Sequence, residues 1–353
     1  MGPAITSARS ASLKDVTFRT QDVVDGGPAL APMIFCTLFN RLYLPQGLAL
    51  YRSLEATAGG RFVLHVLCMD DFTADILDRM ALPGMRTIRL AAFEDDALRA
   101  AKASRSVGEY CWTCTGPLLL HVQDLYPPGT VVAYVDADIR FFADPRAILD
   151  ELGERSIFVH EHDFAPAHAQ YLPVAGRFNV GVVAVRNDAE GRACLERWRD
   201  QCLDECVMDP AQGKCGDQNY LDEWPERYPG LTISANPGIG LGPWNIDKHR
   251  FGGNPDSVLV DGVPVVFYHY HALRLWRPRP GFRALLMARG AYSFAPDVVS
   301  LIYRPYARDL WRALAAIDRL DRTVSRGLEP ASWRDLHAAH RKRQLCFAVG
   351  FRA

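Results

Sequence analysis

The chain has 353 residues, a formal net charge of −1 and 49% hydrophobic residues. This length allows one large α/β domain with a sizeable core, and the near-zero charge excludes the strongly basic surface typical of nucleic-acid-binding proteins. The nine cysteines are an odd number and follow no apolar leader, which favours reduced thiols and a cytoplasmic location. No stretch of about eighteen apolar residues predicts a membrane span.

The first part of the chain alternates between strand and helix patterns. Residues 1–30 are polar and aperiodic, which predicts a flexible tail. The patterns then predict strands over residues 33–38, 61–69 and 87–90, helices over 46–55, 74–81 and 117–125, and a strand from residue 131. Because strands alternate with helices, we expect a parallel sheet with crossover helices.

The second part predicts a strand at 177–185, a helix at 189–206 and an apolar strand at 263–268, with a Gly-, Pro- and Asn-rich functional loop at 236–255. Helices are predicted at 298–320 and 332–347. We therefore expect three regions, namely a tail over 1–30, a catalytic domain over 31–297 and a helical, basic C-terminal cap over 298–353.

The cap carries an excess of positive charge. From residue 303 to the end there are eleven Lys or Arg and five Asp or Glu. One interpretation is peripheral docking on anionic lipid at the inner face of the membrane. The other is an amphipathic cap whose basic face is merely solvated, and we favour it slightly.

Two carboxylates follow the strand that starts at Val131. Asp136 and Asp138 are separated by one residue, so on a strand both side chains would leave on the same face. Burial of an unpaired carboxylate is costly, which leaves either a solvated turn or a site for a divalent cation.

Other short motifs accompany this pair in a fixed order along the chain. They are the strand and polar loop at 34–40, Phe178-Asn179-Val180-Gly181, Asp217-Gln218-Asn219, Trp244-Asn245 and His269-Tyr270-His271. Together they resemble the GT-A glycosyltransferases, which have a Rossmann-like α/β fold for nucleotide-diphospho-sugars. The resemblance covers residues 33–276 and is greatest to family eight, the group of glycogenin and the bacterial lipooligosaccharide galactosyltransferases.

The resemblance implies a role for each motif. Phe39 and Asn40 would border the nucleotide base, Asn179 would contact the donor sugar, and Asp217 and Gln218 would be the catalytic pair near the anomeric carbon. Asp136 and Asp138 would bind Mn²⁺, or Mg²⁺, and through it the donor diphosphate. His269 would complete the metal site, with His271, two residues further along, as its rival.

Two departures from the family pattern affect the diphosphate site. The family's Arg ahead of the metal motif is missing, since residues 110–117 contain none. The pattern after His269 is one residue shorter and has Ala272 where the family has Gly. Arg105 or Lys102 would substitute for the missing Arg. Arg274 or Arg277 would replace the family's Lys at the diphosphate, where a guanidinium binds with two donors rather than as a point charge.

The resemblance therefore implies a metal-dependent glycosyltransferase of the hexosyltransferase type. It would move a sugar from a nucleotide-diphosphate sugar, with UDP-sugar favoured, to a saccharide or glycoconjugate, with retention favoured. If the enzyme inverts, the general base is Asp217, Glu161 or Asp163. The alternatives are a sugar-phosphate nucleotidyltransferase, for which a Gly-rich phosphate loop is missing, and a non-catalytic carbohydrate-binding protein of the same fold.

Overall fold

A computed structural model describes residues 31–276, 284–288, 292–324 and 345–349, together with positions 334 and 341. In this part of the chain the strands are β1 Met33–Phe39, β2 Phe62–Cys68, β3 Met85–Arg89, β4 Val131–Val135, β5 Ile139–Phe141, β6 Ile157–Glu161, β7 Phe178–Arg186, β8 Met208–Asp209, β9 Lys214–Cys215, β10 Leu231–Ile233, β11 Phe251–Asn254, β12 Ser257–Val260, β13 Val263–Pro264, β14 Phe267–His269, β15 Leu273–Trp276, β16 Ala284–Ala288 and β17 Leu345–Val349.

The α-helices are α1 Leu44–Thr57, α2 Asp71–Met80, α3 Leu90–Phe93, α4 Asp96–Lys102, α5 Val107–Thr113, α6 Thr115–Gln123, α7 Arg146–Leu152, α8 Leu172–Ala175, α9 Ala189–Asp204, α10 Trp224–Arg227, α11 Pro296–Val298 and α12 Arg304–Leu320. Short 3₁₀ helices occur at Pro166–Tyr171, Pro210–Gln212, Gln218–Glu223 and Ile246–Lys248, and a π-helical turn at Val299–Tyr303 joins α11 to α12. No helix in the described ranges combines the length and the apolarity that crossing a membrane requires.

The central sheet has seven strands in the order β10-β6-β7-β4-β1-β2-β3. β1 is parallel to β2 and β4, β2 is parallel to β3, and β10 is parallel to β6, which confirms the α/β architecture. The expectation of a purely parallel sheet is wrong, because β7 runs antiparallel to both β4 and β6. Side-chain alternation is the same for either strand direction, so the sequence pattern does not report this reversal.

Both faces of the sheet are covered. Along β1, Phe35 belongs to an apolar cluster that also contains residues of α1 and α12, whereas Cys36 belongs to a cluster with residues of α6 and α9. All seven residues of β1 are buried. Burial on both faces explains why this strand reads as a continuous apolar run rather than an alternating one.

Three helices, α2, α5 and α9, begin directly after capping residues. The carboxylate of Asp70 accepts from the N–H of Thr73 and caps α2, and Asp188 caps α9 in the same way through Gly191. Ser106 and Glu109 form a reciprocal capping box at α5. Such caps satisfy backbone donors that a helix leaves unpaired and stabilise it by about 1 kcal/mol each.

The predicted C-terminal helix at 298–320 is present, as the continuous helical segment from α11 to α12. α12 buries Leu310, Leu314 and Ile317 and packs against α1. The predicted helix at 332–347 is wrong at its end, because residues 345–349 form β17, which pairs with β16. A short apolar run has no period that distinguishes a strand from a helix. Pairing with β16 makes these residues a strand. Most of 325–344 and all of 1–30 lie outside the described residues.

Candidate active site

The two carboxylates lie in a tight turn between β4 and β5. β4 ends at Val135, and the N–H of Ile139 donates to the carbonyl oxygen of Asp136 at 3.1 Å. The expectation that Asp136 and Asp138 share one face of a strand is therefore wrong. The turn brings them together at the carboxyl edge of the sheet, which is the edge where open α/β sheets bind ligands.

Strand register places His269 beside this turn. β14 is antiparallel to β5, with His269 opposite Ile139, and the N–H of Tyr270 donates to the backbone oxygen of Asp138 at 2.9 Å. His269 Nε2 then lies 3.1 Å from Asp138 Oδ1 and 3.6 Å from Asp136 Oδ2. His271 is exposed, with its ring centroid 6.1 Å from that of His269, and does not belong to the cluster.

The geometry of these three side chains fits a small divalent cation. One ligand atom from each of Asp136, Asp138 and His269 can be chosen so that all lie within 4.8 Å of one another. Adjacent ligands of an octahedral ion with bonds of about 2.1 Å are about 3 Å apart, close to the separations seen at His269 Nε2. Two carboxylates and an imidazole are a donor set that suits Mn²⁺ and also Mg²⁺.

The charges of Asp136 and Asp138 favour a positive charge between the two carboxylates and His269. Burial alone would lower the pKa of His269, but Asp138 and then Asp136 raise it above its ordinary value. Burial likewise acts to raise the pKa of Asp138, and His269 holds it below the usual range. At Asp136, burial with the help of Asp138 keeps the pKa raised. The cluster thus stabilises a cation between its carboxylates, whether a proton on Nε2 or a metal ion.

Asn179 connects the cluster to Gln218. Its Oδ1 accepts from the backbone N–H of Gly181 at 2.9 Å and lies 3.1 Å from His269 Nδ1. Its Nδ2 donates to Gln218 Oε1 at 3.1 Å and lies 3.2 Å from His162 Nε2. The motifs around Asn179, Gln218 and His269, about forty and ninety positions apart, therefore form one hydrogen-bonded network.

Position 181 requires glycine because side-chain atoms of two other residues lie close to its Cα. A Cβ atom at this position would lie 2.6 Å from both Asn179 Oδ1 and His269 Nδ1. Such contacts are too short for any other residue type unless the network shifts. The Gly of the Phe-Asn-x-Gly motif is explained by this packing.

Gln218 and Asp217 differ in their surroundings. Gln218 is partly exposed; its Oε1 also accepts from Val180 N–H at 3.3 Å, and its Nε2 donates to Ala175 O at 2.6 Å. Asp217 is buried, and burial raises the pKa of its carboxyl to about 8, with Asp136 adding to the shift. Asp217 is accordingly a neutral acid at pH 7.

The residues expected at the nucleotide lie at the end of β1. The Phe39 ring is 3% exposed and packs against Gly47 of α1, so it belongs to the core. Asn40 is partly exposed, and its Oδ1 accepts from the N–H of Leu42 at 3.0 Å. Arg274 lies in β15, and its side chain is outside the described part of the chain.

Three carboxylates were candidate general bases for an inverting reaction. Glu161 forms an ion pair with Arg177, and Asp163 forms one with Lys248. The third, Asp217, is the buried neutral acid. The carboxylates of Glu161 and Asp163 are thus each paired with a cationic side chain.

Sequence reasoning missed Tyr134, whose hydroxyl donates to Asp136 Oδ1 at 2.7 Å. The signal was its place two residues before Asp136, near the end of the strand that leads to it. Trp244, noted only as part of a Trp-Asn pair, stands edge-on to His269 with ring centroids 5.4 Å apart. Trp244 also stands edge-on to His162, at 5.3 Å, so it contacts both histidine rings.

Comparison with known proteins gives relatives in sequence and in structure. No family model matches the chain. YfnF of Bacillus subtilis (strain 168), an uncharacterized protein, is 34% identical over 248 residues, which are 68% of this chain and 82% of YfnF. YfnD of the same organism, also uncharacterized, is 30% identical over 243 residues, 68% of this chain and 78% of YfnD.

Among solved structures, the galactosyltransferase LgtC in complex with donor and acceptor sugar analogs is 15% identical, with a TM-score of 0.48, and the match covers 88% of this chain and 100% of LgtC. The glycosyltransferase GlyE of Streptococcus pneumoniae TIGR4 is 12% identical, with a TM-score of 0.45, covering 86% of this chain and 66% of GlyE.

The seven-stranded sheet, its flanking helices and the C-terminal helix confirm the predicted α/β class with a helical C-terminal extension. Within that class, the chain belongs to the same family as YfnF and YfnD.

Proposed function

We propose that this chain is a metal-dependent glycosyltransferase that moves a sugar from a nucleotide-diphosphate sugar, UDP-sugar in the first instance, to a saccharide or glycoconjugate acceptor. The observation that carries the proposal is the cluster of Asp136, Asp138 and His269 at the ligand-binding edge of a GT-A sheet. Transfer breaks the bond between the anomeric carbon and the β-phosphate oxygen. A divalent cation held by these three residues would neutralise the charge that develops on the diphosphate.

Retention of anomeric configuration is the favoured outcome. An inverting enzyme needs a carboxylate that takes the acceptor proton. Glu161 and Asp163 are held in ion pairs, and the raised pKa of Asp217 keeps it protonated at pH 7. With the three candidate bases occupied or neutral, a mechanism that uses no protein base is better supported.

Calorimetry with UDP, with and without Mn²⁺, tests the proposal on the intact protein and on Asp138→Ala. We expect Mn²⁺-dependent UDP binding in the intact protein and its loss in the variant, because the remaining ligands bind the cation weakly. Asp150→Ala, at an exposed helix position, is the matched control and should bind as the intact protein does. Metal-independent binding, or no binding of any nucleotide tested, would refute the proposal.

Reaction products separate the proposal from its alternatives. A panel of sugar nucleotides incubated with Mn²⁺ should release the nucleoside diphosphate and free sugar slowly without acceptor. Release of pyrophosphate from UTP and a sugar phosphate would instead identify a nucleotidyltransferase. Binding without any turnover would identify a carbohydrate-binding protein.

A cytoplasmic location completes the proposal, and peripheral contact with anionic lipid is the less favoured of the two interpretations of the basic C-terminal residues. Arg304, Arg308 and Arg312 are exposed on α12, which is consistent with such contact. Arg308→Glu with Arg312→Glu should reduce sedimentation with vesicles containing phosphatidylserine, while vesicles of phosphatidylcholine serve as control. Equal sedimentation of both proteins with the anionic vesicles would leave the basic face of α12 merely solvated.

A further inference from the structure

Asn179 has no unused hydrogen-bonding capacity. An amide oxygen accepts two hydrogen bonds and an amide nitrogen donates two. Oδ1 faces Gly181 N–H and His269 Nδ1, and Nδ2 faces Gln218 Oε1 and His162 Nε2. The side chain is also buried, at 6% exposure. A donor sugar would have to displace one of these partners to contact it.

The orientation of this amide is fixed by backbone groups. Gly181 N–H is an obligatory donor, so the atom that faces it at 2.9 Å must be the oxygen of Asn179. Gln218 is fixed in the same way, because Val180 N–H donates to its Oε1 and its Nε2 donates to a backbone oxygen. The Asn179 nitrogen consequently faces Gln218, and its oxygen faces His269.

This orientation decides which nitrogen of His269 carries the proton. An amide oxygen only accepts, so the Nδ1 of His269 must be the protonated, donating nitrogen. In the neutral imidazole the lone pair is then on Nε2, the nitrogen that faces Asp138 Oδ1 and Asp136 Oδ2. Nε2 is thereby directed at the place where the cation would be held. In metal sites generally, the partner of the second ring nitrogen fixes the ligand in this way.

His162 holds the other side of the Asn179 amide. Its Nδ1 lies 3.2 Å from the carbonyl oxygen of Gly176, which only accepts, so Nδ1 carries the proton and Nε2 accepts from Asn179. Burial and neighbouring histidines lower the pKa of His162 to about 3, which keeps it neutral. Its ring stacks on Phe164 at 4.7 Å and meets the edge of Trp244.

We propose that Asn179, backed by His162, is a positioning residue that fixes the tautomer and direction of His269 for the cation. The proposal rests on the proposed function, because it concerns the same metal site. The relevant measurement is cation affinity rather than turnover.

The test compares Asn179→Leu with Asn179→Asp. Leu removes the acceptor for His269 Nδ1, whereas Asp retains an oxygen at that position. Free Mn²⁺, measured by electron paramagnetic resonance in the presence of a fixed UDP concentration, should report an affinity about 10- to 100-fold weaker for Asn179→Leu. For Asn179→Asp the loss should be clearly smaller than for Asn179→Leu, since the acceptor for His269 Nδ1 is conserved although the donor to Gln218 and His162 is lost.

Asn187→Leu is the matched control. Asn187 is a buried asparagine directly after the other end of β7, where its Nδ2 donates to backbone oxygens of Gln123 and Tyr126. Its loss should lower stability and leave Mn²⁺ affinity unchanged. Normal Mn²⁺ affinity in Asn179→Leu, or equal losses in Asn179→Leu and Asn179→Asp, would overturn the proposal.

A second measurement needs no variant, in case Asn179→Leu does not fold. In ¹⁵N-histidine-labelled protein saturated with diamagnetic Mg²⁺ and UDP, the His269 signals should show a protonated Nδ1 and an unprotonated Nε2. The opposite tautomer would overturn the proposal. If the unmodified protein binds neither Mn²⁺ nor Mg²⁺ with UDP, the proposed function itself has failed; if it binds them and only the variant or tautomer result is negative, this inference alone has failed.

Discussion

The two ends of the sheet's ligand-binding edge are built differently. At the metal end, formed by the end of β4, the start of β7 and the end of β14, Asn179 and His269 are 6% and 5% exposed and are held by fixed hydrogen bonds. At the nucleotide end, after β1, Leu42 and Tyr43 are large apolar residues that are 57% and 45% exposed. One end is ordered before any ligand arrives, and the other presents apolar surface to solvent.

The difference matches what each end is proposed to do. Groups that stabilise developing charge act best when they are already oriented, since no reorganisation is then needed during the reaction. Recognition of a nucleotide base needs apolar area, and covering exposed side chains contributes favourable free energy on binding. Substitutions at the metal end should therefore change stability and metal affinity, and substitutions at the nucleotide end should change nucleotide affinity alone.

The largest expected effect is at Gly181. In Gly181→Ala the added Cβ would lie 2.6 Å from the atoms that join Asn179 and His269, and both are constrained by other bonds. We expect Mn²⁺-dependent UDP binding to fall by about 100-fold or more and the free energy of unfolding to fall by about 1–3 kcal/mol. Calorimetry and urea unfolding measure the two effects.

Gly108→Ala is the control, because Gly108 lies in α5 with nothing within 4 Å of an added Cβ. That change should be neutral or slightly stabilising, since Ala is the better helix former. Unaltered UDP binding in Gly181→Ala would mean that the metal end is not rigid and would remove the contrast between the two ends.

The next effect is a pH dependence from Asp217, beside the metal end. The pKa of this carboxyl is about 8 in the folded chain and about 3.8 in the unfolded one. Between these values the folded state keeps a proton on Asp217 that the unfolded state releases, so the contribution of Asp217 to stability should fall as pH rises from about 4 to 8. The loss should be on the order of a few kcal/mol.

Urea unfolding in EDTA at pH 5 and pH 8 measures this slope. Relative to the unmodified protein, Asp217→Asn should become more stable from pH 5 to pH 8, whereas Asp150→Asn should show no such pH-dependent difference. An unchanged slope in Asp217→Asn would show that Asp217 is ionised in the folded chain and restore it as a candidate base.

At the nucleotide end, Leu42→Ser should weaken UDP affinity by about 3- to 10-fold, because it removes apolar area that the base would cover. Mn²⁺ affinity should not change, and the free energy of unfolding should change by less than about 0.5 kcal/mol because the side chain is exposed. Val107→Ser, at a position that is also exposed, is the control and should leave UDP affinity unchanged. A change in Mn²⁺ affinity in Leu42→Ser would show that the two ends are energetically coupled and would contradict the distinction between them.

The smallest effect is expected at Ala272, just after the metal end. Its φ of 62° lies in the left-handed region, which suits the Gly that the family-eight pattern has at this position. Ala272→Gly should raise the free energy of unfolding by about 0.5–1 kcal/mol. This figure is the backbone strain that Gly relieves, reduced by the conformational entropy that Gly adds to the unfolded chain. Ala103→Gly, at a φ of −64°, should lower it. Equal changes in the free energy of unfolding for Ala272→Gly and Ala103→Gly would show that the backbone at Ala272 is not strained.

Much of the α/β fold was predictable from local patterns. The strand that begins at Met33 was predicted from a short apolar run and helix α9 from an apolar period of 3.6, because both signals lie within a short window of sequence. β6 and β10 were missed, since short apolar runs lack a distinctive period. The predicted strand at 263–268 is divided between β13 and β14, because its two parts pair with different partners.

The residue types at the metal centre were determined by the sequence alone. Asp136 and Asp138 after an apolar run, and His269 after another, were identifiable as candidate ligands from chemistry and order along the chain. Tertiary structure decided how they meet: a turn orients the carboxylates, and the register of β14 on β5 brings His269 to them. Asn179 was read as a sugar contact, and only the packed structure reveals that its four hydrogen bonds are already made. Local patterns encode elements and residue chemistry, whereas strand direction, register and hydrogen-bond saturation depend on pairings between residues distant in sequence, which no local pattern records.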